Sequence, residues 1–194
     1  KLRVLSLYDG RGLTGNIPNS IQNCTNLEGL YLSFNQLDGN IPDFTSLNKL
    51  SIFSIDNNNF QFGDFEPSFA NYQNKIGSNY FYSPQKNIGE FYDGILEIGQ
   101  TKTLTADVSG SQNSYTWSRI NIDGSQGGVI GNTETIDITI NTASDYKWFY
   151  FYESTSPLVP GLTLRSDFFK FSDIPSNSPD YDALVALYNS TNGN

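Results

Sequence analysis

Residues Asn26 to Pro42 read NLEGLYLSFNQLDGNIP. Leu27, Leu30, Leu32, Asn35, Leu37, Gly39, Ile41 and Pro42 fall on one template, LxxLxLxxNxLxGxIP. The LxL piece reads as a short strand whose leucines point into a core shared with neighbouring coils. The Asn turns the chain by hydrogen-bonding the backbone of those coils.

The pattern recurs on both sides. Downstream, Leu50, Phe53, Ile55, Asn58 and Phe60 repeat it, and Leu27 to Leu50 is 23 positions. Upstream, Leu2, Leu5, Leu7, Leu13, Gly15, Ile17 and Pro18 repeat it, and Leu2 to Leu27 is 25 positions. The upstream copy carries an extra residue in DGRG, with Gly10 at the place of the ladder Asn. Ile21, Cys24, Phe44 and Leu47 supply the apolar positions of the convex side. The third copy runs into FQFGDFEPSF, an aromatic run expected to close the stack.

These residues resemble the leucine-rich repeats, and the LxGxIP tail resembles their plant-type subclass, also found on the surface of Bacteroidetes-type bacteria. The resemblance implies that residues 1–70 are the C-terminal end of a solenoid. Residue 1 falls inside a repeat, so further coils are expected before it, in the same polypeptide or from a neighbouring molecule. Leu2, Leu5 and Leu7 form the apolar edge such a coil would cover, and are the first candidate assembly residues.

The polar stretch 71–78, NYQNKIGS, reads as a linker. From Asn79 the period becomes two, the spacing of strands. Leu104, Ala106 and Val108 line one face of TLTADV, and Ile136, Ile138 and Ile140 one face of TIDITI. In KWFYFYE, Phe149 and Phe151 are expected to face inward, and Trp148, Tyr150 and Tyr152 outward as a second candidate patch. Gly, Asn and Ser clusters separate the runs. Several short strands with such turns argue an antiparallel β-sandwich over 79–173.

This part resembles an immunoglobulin-like domain. Trp117 matches the family's core Trp. Asp145 keeps the Asp of its sixth-strand motif, while Phe149 stands for the corner Tyr and Phe151 for the Cys. The resemblance implies a core around Trp117, Phe149 and Phe151 held without a disulfide. YFYSPQKNIG, at Tyr80 to Gly89, resembles the junction of bacterial surface proteins that join such repeats to an Ig-like module.

Residues 174–179 read as a second linker. Residues 180–194 then read as a helix, with Ser178 as N-cap, Pro179 in the first turn and Asp180 and Asp182 at the positive end. Tyr181, Leu184, Val185 and Tyr188 make one apolar stripe, and are the remaining assembly candidates. DALVALYNSTNGN resembles the capping helix that opens a bacterial leucine-rich-repeat array. The expected fold class is thus mainly β: a solenoid end, an Ig-like sandwich and a short C-terminal helix.

Composition narrows the chemistry. The 194 residues hold 11 Lys and Arg against 20 Asp and Glu, a net charge of −9, and no His. An acidic chain is a poor partner for nucleic acid or anionic membrane. Without His, imidazole metal sites and Ser-His-Asp or Cys-His arrangements cannot form within these residues. The single Cys, Cys24, sits at a convex core position and reads as a buried structural thiol. GRGLTGN lacks the Lys-Ser/Thr of a phosphate loop. The carboxylate pairs Asp64/Glu66 and Glu90/Asp93 read as solvated loop charges rather than a glycosidase pair, and Asp123 to Gly128 as a turn rather than a calcium loop. No stretch is apolar for 18 residues. Asn23 and Asn189 open N-glycosylation sequons, which matter only in a eukaryotic secretory host. No enzyme activity, cofactor or metal is expected.

Binding has more to point to. Residues between the inward leucines face the concave surface: Ser6 and Tyr8, then Gly29, Tyr31 and Ser33, then Ile52, Ser54 and Asp56. Tyr8, Tyr31, Ser33, Ser54 and Asp56 are the candidate ligand contacts, Tyr combining apolar area with a hydroxyl. The expected role is a non-enzymatic, extracellular surface protein that binds a protein or glycan through its repeats. The alternatives are a structural unit of a fibre of copies stacked end to end, or a plant-type receptor ectodomain.

Overall fold

The computed structural model describes residues 2–8 and 12–173, together with Ala183. Gly10, the second linker at 174–179 and the expected helix at 180–194, including Ser178, Tyr181, Leu184, Val185 and Tyr188, lie outside the described residues apart from Ala183. The fold is mainly β, with several sheets and short helices, and the chain forms two compact units. The first takes 1–88, 107–115 and 153–166; the second takes 89–106, 116–152 and 167–194.

In the first unit β1 (Val4–Ser6), β3 (Gly29–Tyr31), β5 (Ile52–Ser54) and β6 (Tyr80–Phe81) form a parallel sheet in that order. The register places Leu5 beside Leu30 and Leu30 beside Phe53, matching the spacing of the sequence copies. Leu27, Leu30, Phe53 and Ile55 are fully buried. A second parallel pair, β2 (Thr14–Gly15) with β4 (Gln36–Leu37), repeats the coil one step further along. Gly39 follows it at φ +72, and a Cβ there would lie 2.1 Å from the Asn16 side chain, so a substitution would strain the backbone and push Asn16 aside.

Asn35 and Asn58 are buried and spend their side chains on backbone. Asn35 Nδ2 donates to the carbonyls of Leu7, Leu32 and Ser33, and its Oδ1 accepts from Leu13 N–H. Asn58 Nδ2 donates to Leu32, Ile55 and Asp56, and its Oδ1 accepts from Leu37 N–H.

The coil pattern does not stop at residue 70. Where a polar linker was expected at 71–78, Phe69–Ile76 forms helix α2, after the one-turn α1 (Phe62–Phe65). Polarity concealed it because one face alone is apolar: Phe69 and Tyr72 are buried while the residues between them are not. Where the second module was expected to open at Asn79, β6 instead pairs in parallel with β5, Phe53 beside Tyr80 and Ser54 beside Phe81. Tyr80, Tyr82 and Gln85 take the places of Leu, Leu and Asn. Gln85 Nε2 donates to the Ile55 and Tyr82 carbonyls, and its Oε1 accepts from the Asn58 and Phe60 amides. The longer amide does for the fourth coil what Asn does for the others.

Aromatic side chains fill the core beneath these coils. Phe53 stacks on Tyr80, with centroids 5.5 Å apart, and meets Phe44 edge-on. Phe62 and Phe65 are fully buried, as is Val159 of the 153–166 segment. The expected buried thiol is only half-buried: Cys24 packs at the margin of this core.

In the second unit, β14 (Phe169–Ser172) lies between β7 (Tyr92–Ile95), which it meets in parallel, and β12 (Trp148–Thr155), which it meets antiparallel. β12 is followed in the sheet by β9 (Ser114–Asn121) and β10 (Gln126–Gly131). The last residues of β12, Glu153–Thr155, pair with β13 (Thr163–Arg165) inside the first unit. β8 (Thr101–Thr105) and β11 (Thr135–Thr139) make a separate antiparallel pair. Trp117 is fully buried, and its Nε1 donates to the Thr133 carbonyl at 3.0 Å.

Trp117 packs on the face of β12 opposite to the one expected, although Phe151 too is buried. Tyr152 meets Trp117 edge-on at 5.0 Å, and Tyr150 packs on Phe171. Phe149 and Phe151 lie on the opposite face against Phe168. Alternation alone does not tell which face is inward when both are covered. Of the expected outward patch, Tyr150 and Tyr152 are buried, and Trp148 lies under the Arg119 guanidinium at 4.4 Å.

Truncating Trp117 to Ala is expected to cost about 3–5 kcal/mol in denaturant unfolding. A loss below about 1 kcal/mol would place Trp117 outside a packed core. Two buried tyrosines should behave oppositely. Tyr72 Oη donates to the Pro42 carbonyl and accepts from Phe44 N–H, whereas Tyr80 Oη is buried without a partner among the described residues. Burial pushes both phenols above their usual range. Tyr72→Phe is expected to lose about 1–3 kcal/mol, while Tyr80→Phe should be neutral or stabilising. Calorimetric melting of the two variants separates them.

Candidate functional site

The coil register builds two rows of side chains on the open face of the parallel sheet. Ser6, Tyr31, Ser54 and Phe81 are successive partners in one. Two residues further on, Tyr8, Ser33, Asp56 and Ser83 occupy the other. Between them lies a depression of about 510 Å³. All five candidate contacts, Tyr8, Tyr31, Ser33, Ser54 and Asp56, line it. Tyr8, Ser33 and Asp56 stand in one row and Tyr31 and Ser54 in the other. Phe34, Phe81 and Ser83 complete the lining.

Asp56 is the polar centre. One carboxylate oxygen accepts from the Ser33 and Ser54 hydroxyls, which lie 3.0 Å apart, and the other accepts from Asn57 Nδ2 at 2.6 Å. Ser33 is buried by these contacts. Beside it in the lining, Tyr8, Phe34 and Phe81 are 56%, 53% and 47% exposed. The Tyr31 ring folds back over Gly29, where a Cβ would come within 2.8 Å of it. Glycine there gives the ring room to lie along the sheet.

Phe34 is held in the left-handed region at φ 59. The equivalent residue of the next coil is Asn57, at φ 56. Asn occupies this region readily; a bulky aromatic does so under strain. Phe34 N–H bonds the Asp56 carbonyl, which fixes the turn and aims the ring at the open face.

Sequence reasoning missed Phe34 because its position lies one residue beyond the strand pattern. It missed Phe81 and Ser83 because Tyr80-x-Tyr82-xx-Gln85 was assigned to the following module. With aromatics accepted for Leu and Gln for Asn, the repeat template would have found both. Of the candidate assembly residues, Leu5 lies on β1, one of the two outer strands of this sheet, and Leu2 and Leu7 flank it. Leu2 and neighbouring Val4 are 46% and 52% exposed, and Leu5 and Leu7 are half-buried against the core. Arg3 and Glu28 make a bidentate ion pair at this edge.

Residues 26–47 match the family model for the Leucine Rich Repeat. They form a leucine-rich repeat, which suggests a protein-binding repeat domain. No curated protein matches the chain. A solved structure containing the CBM51-2 and INT domains from Clostridium perfringens ZmpB is similar over 87% of this chain, at 13% identity and a TM-score of 0.38. This chain spans 29% of that one, and a likeness so distant carries no argument. Among the described residues no helix is long and apolar enough to cross a membrane.

Phe34→Asn should leave stability unchanged or raise it by up to about 1–2 kcal/mol, because it removes a strained left-handed conformation. Thermal melting checks this. A clear loss of stability would show that the Phe34 ring supports the fold.

Proposed function

We propose that the chain is part of a non-enzymatic, extracellular surface protein of bacterial, Bacteroidetes-type origin. In this reading the coils are the end of a plant-type leucine-rich-repeat solenoid that binds a protein ligand on its open face, and the second unit is an Ig-like spacer. One observation carries the reading: Tyr8, Tyr31, Ser33, Ser54 and Asp56 surround a single depression that exposes three further aromatic or polar side chains. Exposed aromatic area beside a fixed carboxylate is costly to leave in water and suits recognition.

Adhesion of protein-coated beads to surfaces bearing single extracellular proteins tests the reading. The native chain is expected to adhere to at least one. Tyr8→Ser with Phe81→Ser should abolish adhesion, while Ile122→Ser on the second unit should not. Adhesion that survives the double substitution, or turnover of an offered substrate that a single carboxylate substitution abolishes, would contradict it. The exposed Leu2, before β1, and Val4, on it, favour a second reading, end-to-end stacking into a fibre. Scattering that shows elongation with concentration, lost in Leu2→Ser with Val4→Ser, would favour the fibre.

A further inference from the structure

The depression has a definite chemical character, and this inference rests on its being a ligand site. No Lys or Arg is among the residues that line it. Its one carboxylate, Asp56, stands in one of the two rows with Tyr8, and the exposed Tyr8, Phe34 and Phe81 share the lining with it. Aromatic faces carry the negative end of their quadrupole, so rings and carboxylate together favour the same kind of guest. The chain's net charge of −9 adds a long-range attraction for cations.

We propose that the depression takes a basic side chain, arginine or lysine, presented by a partner protein, with its cation over Asp56 and its stem against Tyr8, Phe34 and Phe81. Other guests fit less well. An anion would meet Asp56 with like charge. A purely apolar side chain would strip water from the carboxylate without repaying it. A sugar could reach the Tyr8, Tyr31 and Ser83 hydroxyls, but the donors nearest the carboxylate, on Ser33, Ser54 and Asn57, already bond Asp56. Those three donors hold the carboxylate in place, and its charge remains available to a cation. A rigid, pre-oriented charge among rings is the arrangement that loses least on binding. The strained Phe34 has its reason here. Asn would suit the turn better, but only an aromatic extends the cage.

The test is NMR titration of the chain, following the aromatic signals of Tyr8, Phe34 and Phe81. The probes are the capped tripeptide Gly-Arg-Gly, its lysine analogue, its neutral citrulline analogue and the oligosaccharide maltotriose. The arginine or lysine peptide should shift these signals saturably, and added salt should weaken the binding. The citrulline peptide should bind roughly tenfold more weakly, as loss of a charge-assisted hydrogen bond implies. Asp56→Asn should lower affinity for the basic peptide by a similar factor. Phe34→Asn keeps the turn and removes one ring, and should lower it about threefold. Equal binding of the citrulline peptide, or undiminished affinity in both variants, would overturn the proposal. Saturable binding of maltotriose alone would overturn it while leaving a ligand site in place. No response to any probe would overturn both the cation assignment and the site itself.

Discussion

The coils depend on a column of inward-turned side-chain amides, of which Asn35 and Asn58 are buried and Gln85 is half-buried. Parallel strands of two or three residues cannot satisfy the backbone between them, and the turns that link β1, β3, β5 and β6 to the rest of each coil leave N–H and C=O groups facing the core. Asn35, Asn58 and Gln85 each accept from one or more amides and donate to carbonyls, and each reaches a carbonyl of the coil before it or of its own turn. A buried amide that satisfies its neighbours rigidifies; one left unpaired would cost more than an apolar residue. The spacing of these amides therefore sets the spacing of the coils.

From that spacing the open face follows. Because Asn58 fixes the Ile55 and Asp56 carbonyls, the Asp56 side chain is delivered to the same place in its coil as Ser33 and Tyr8 in theirs. The left-handed residues Phe34 and Asn57 come at the same step, just before each ladder residue. The rings around Asp56 are thus fixed by the backbone that the ladder holds, and the site needs no moving part to assemble.

The leucine pattern made the first three coils legible, because Leu, Asn and Gly each have one physical use at their positions. The fourth coil was hidden by substitution within a class: Tyr80 and Tyr82 fill the leucine positions, and Gln85 spans with one more methylene what Asn58 reaches directly. Helix α2 was hidden because only Phe69 and Tyr72 of its residues are buried. In the second unit, Trp117 was correctly placed in a core, but the partners expected for it were wrong. Phe149 and Phe151 alternate with Tyr150 and Tyr152 along a strand covered on both sides, and hydrophobicity cannot rank such faces. The five contact residues could be picked from coil period alone; Phe34 could not, because its role depends on a backbone angle.

Denaturant unfolding of Asn58→Ala beside Asn59→Ala addresses the amide column directly. Asn58 is fully buried and bonded to four backbone groups, while its neighbour Asn59 is exposed. Losing those bonds should cost at least about 3 kcal/mol for Asn58→Ala, whereas Asn59→Ala should stay within about 0.5 kcal/mol of the native chain. Equal small effects from both would contradict a coil stack held by its buried amides.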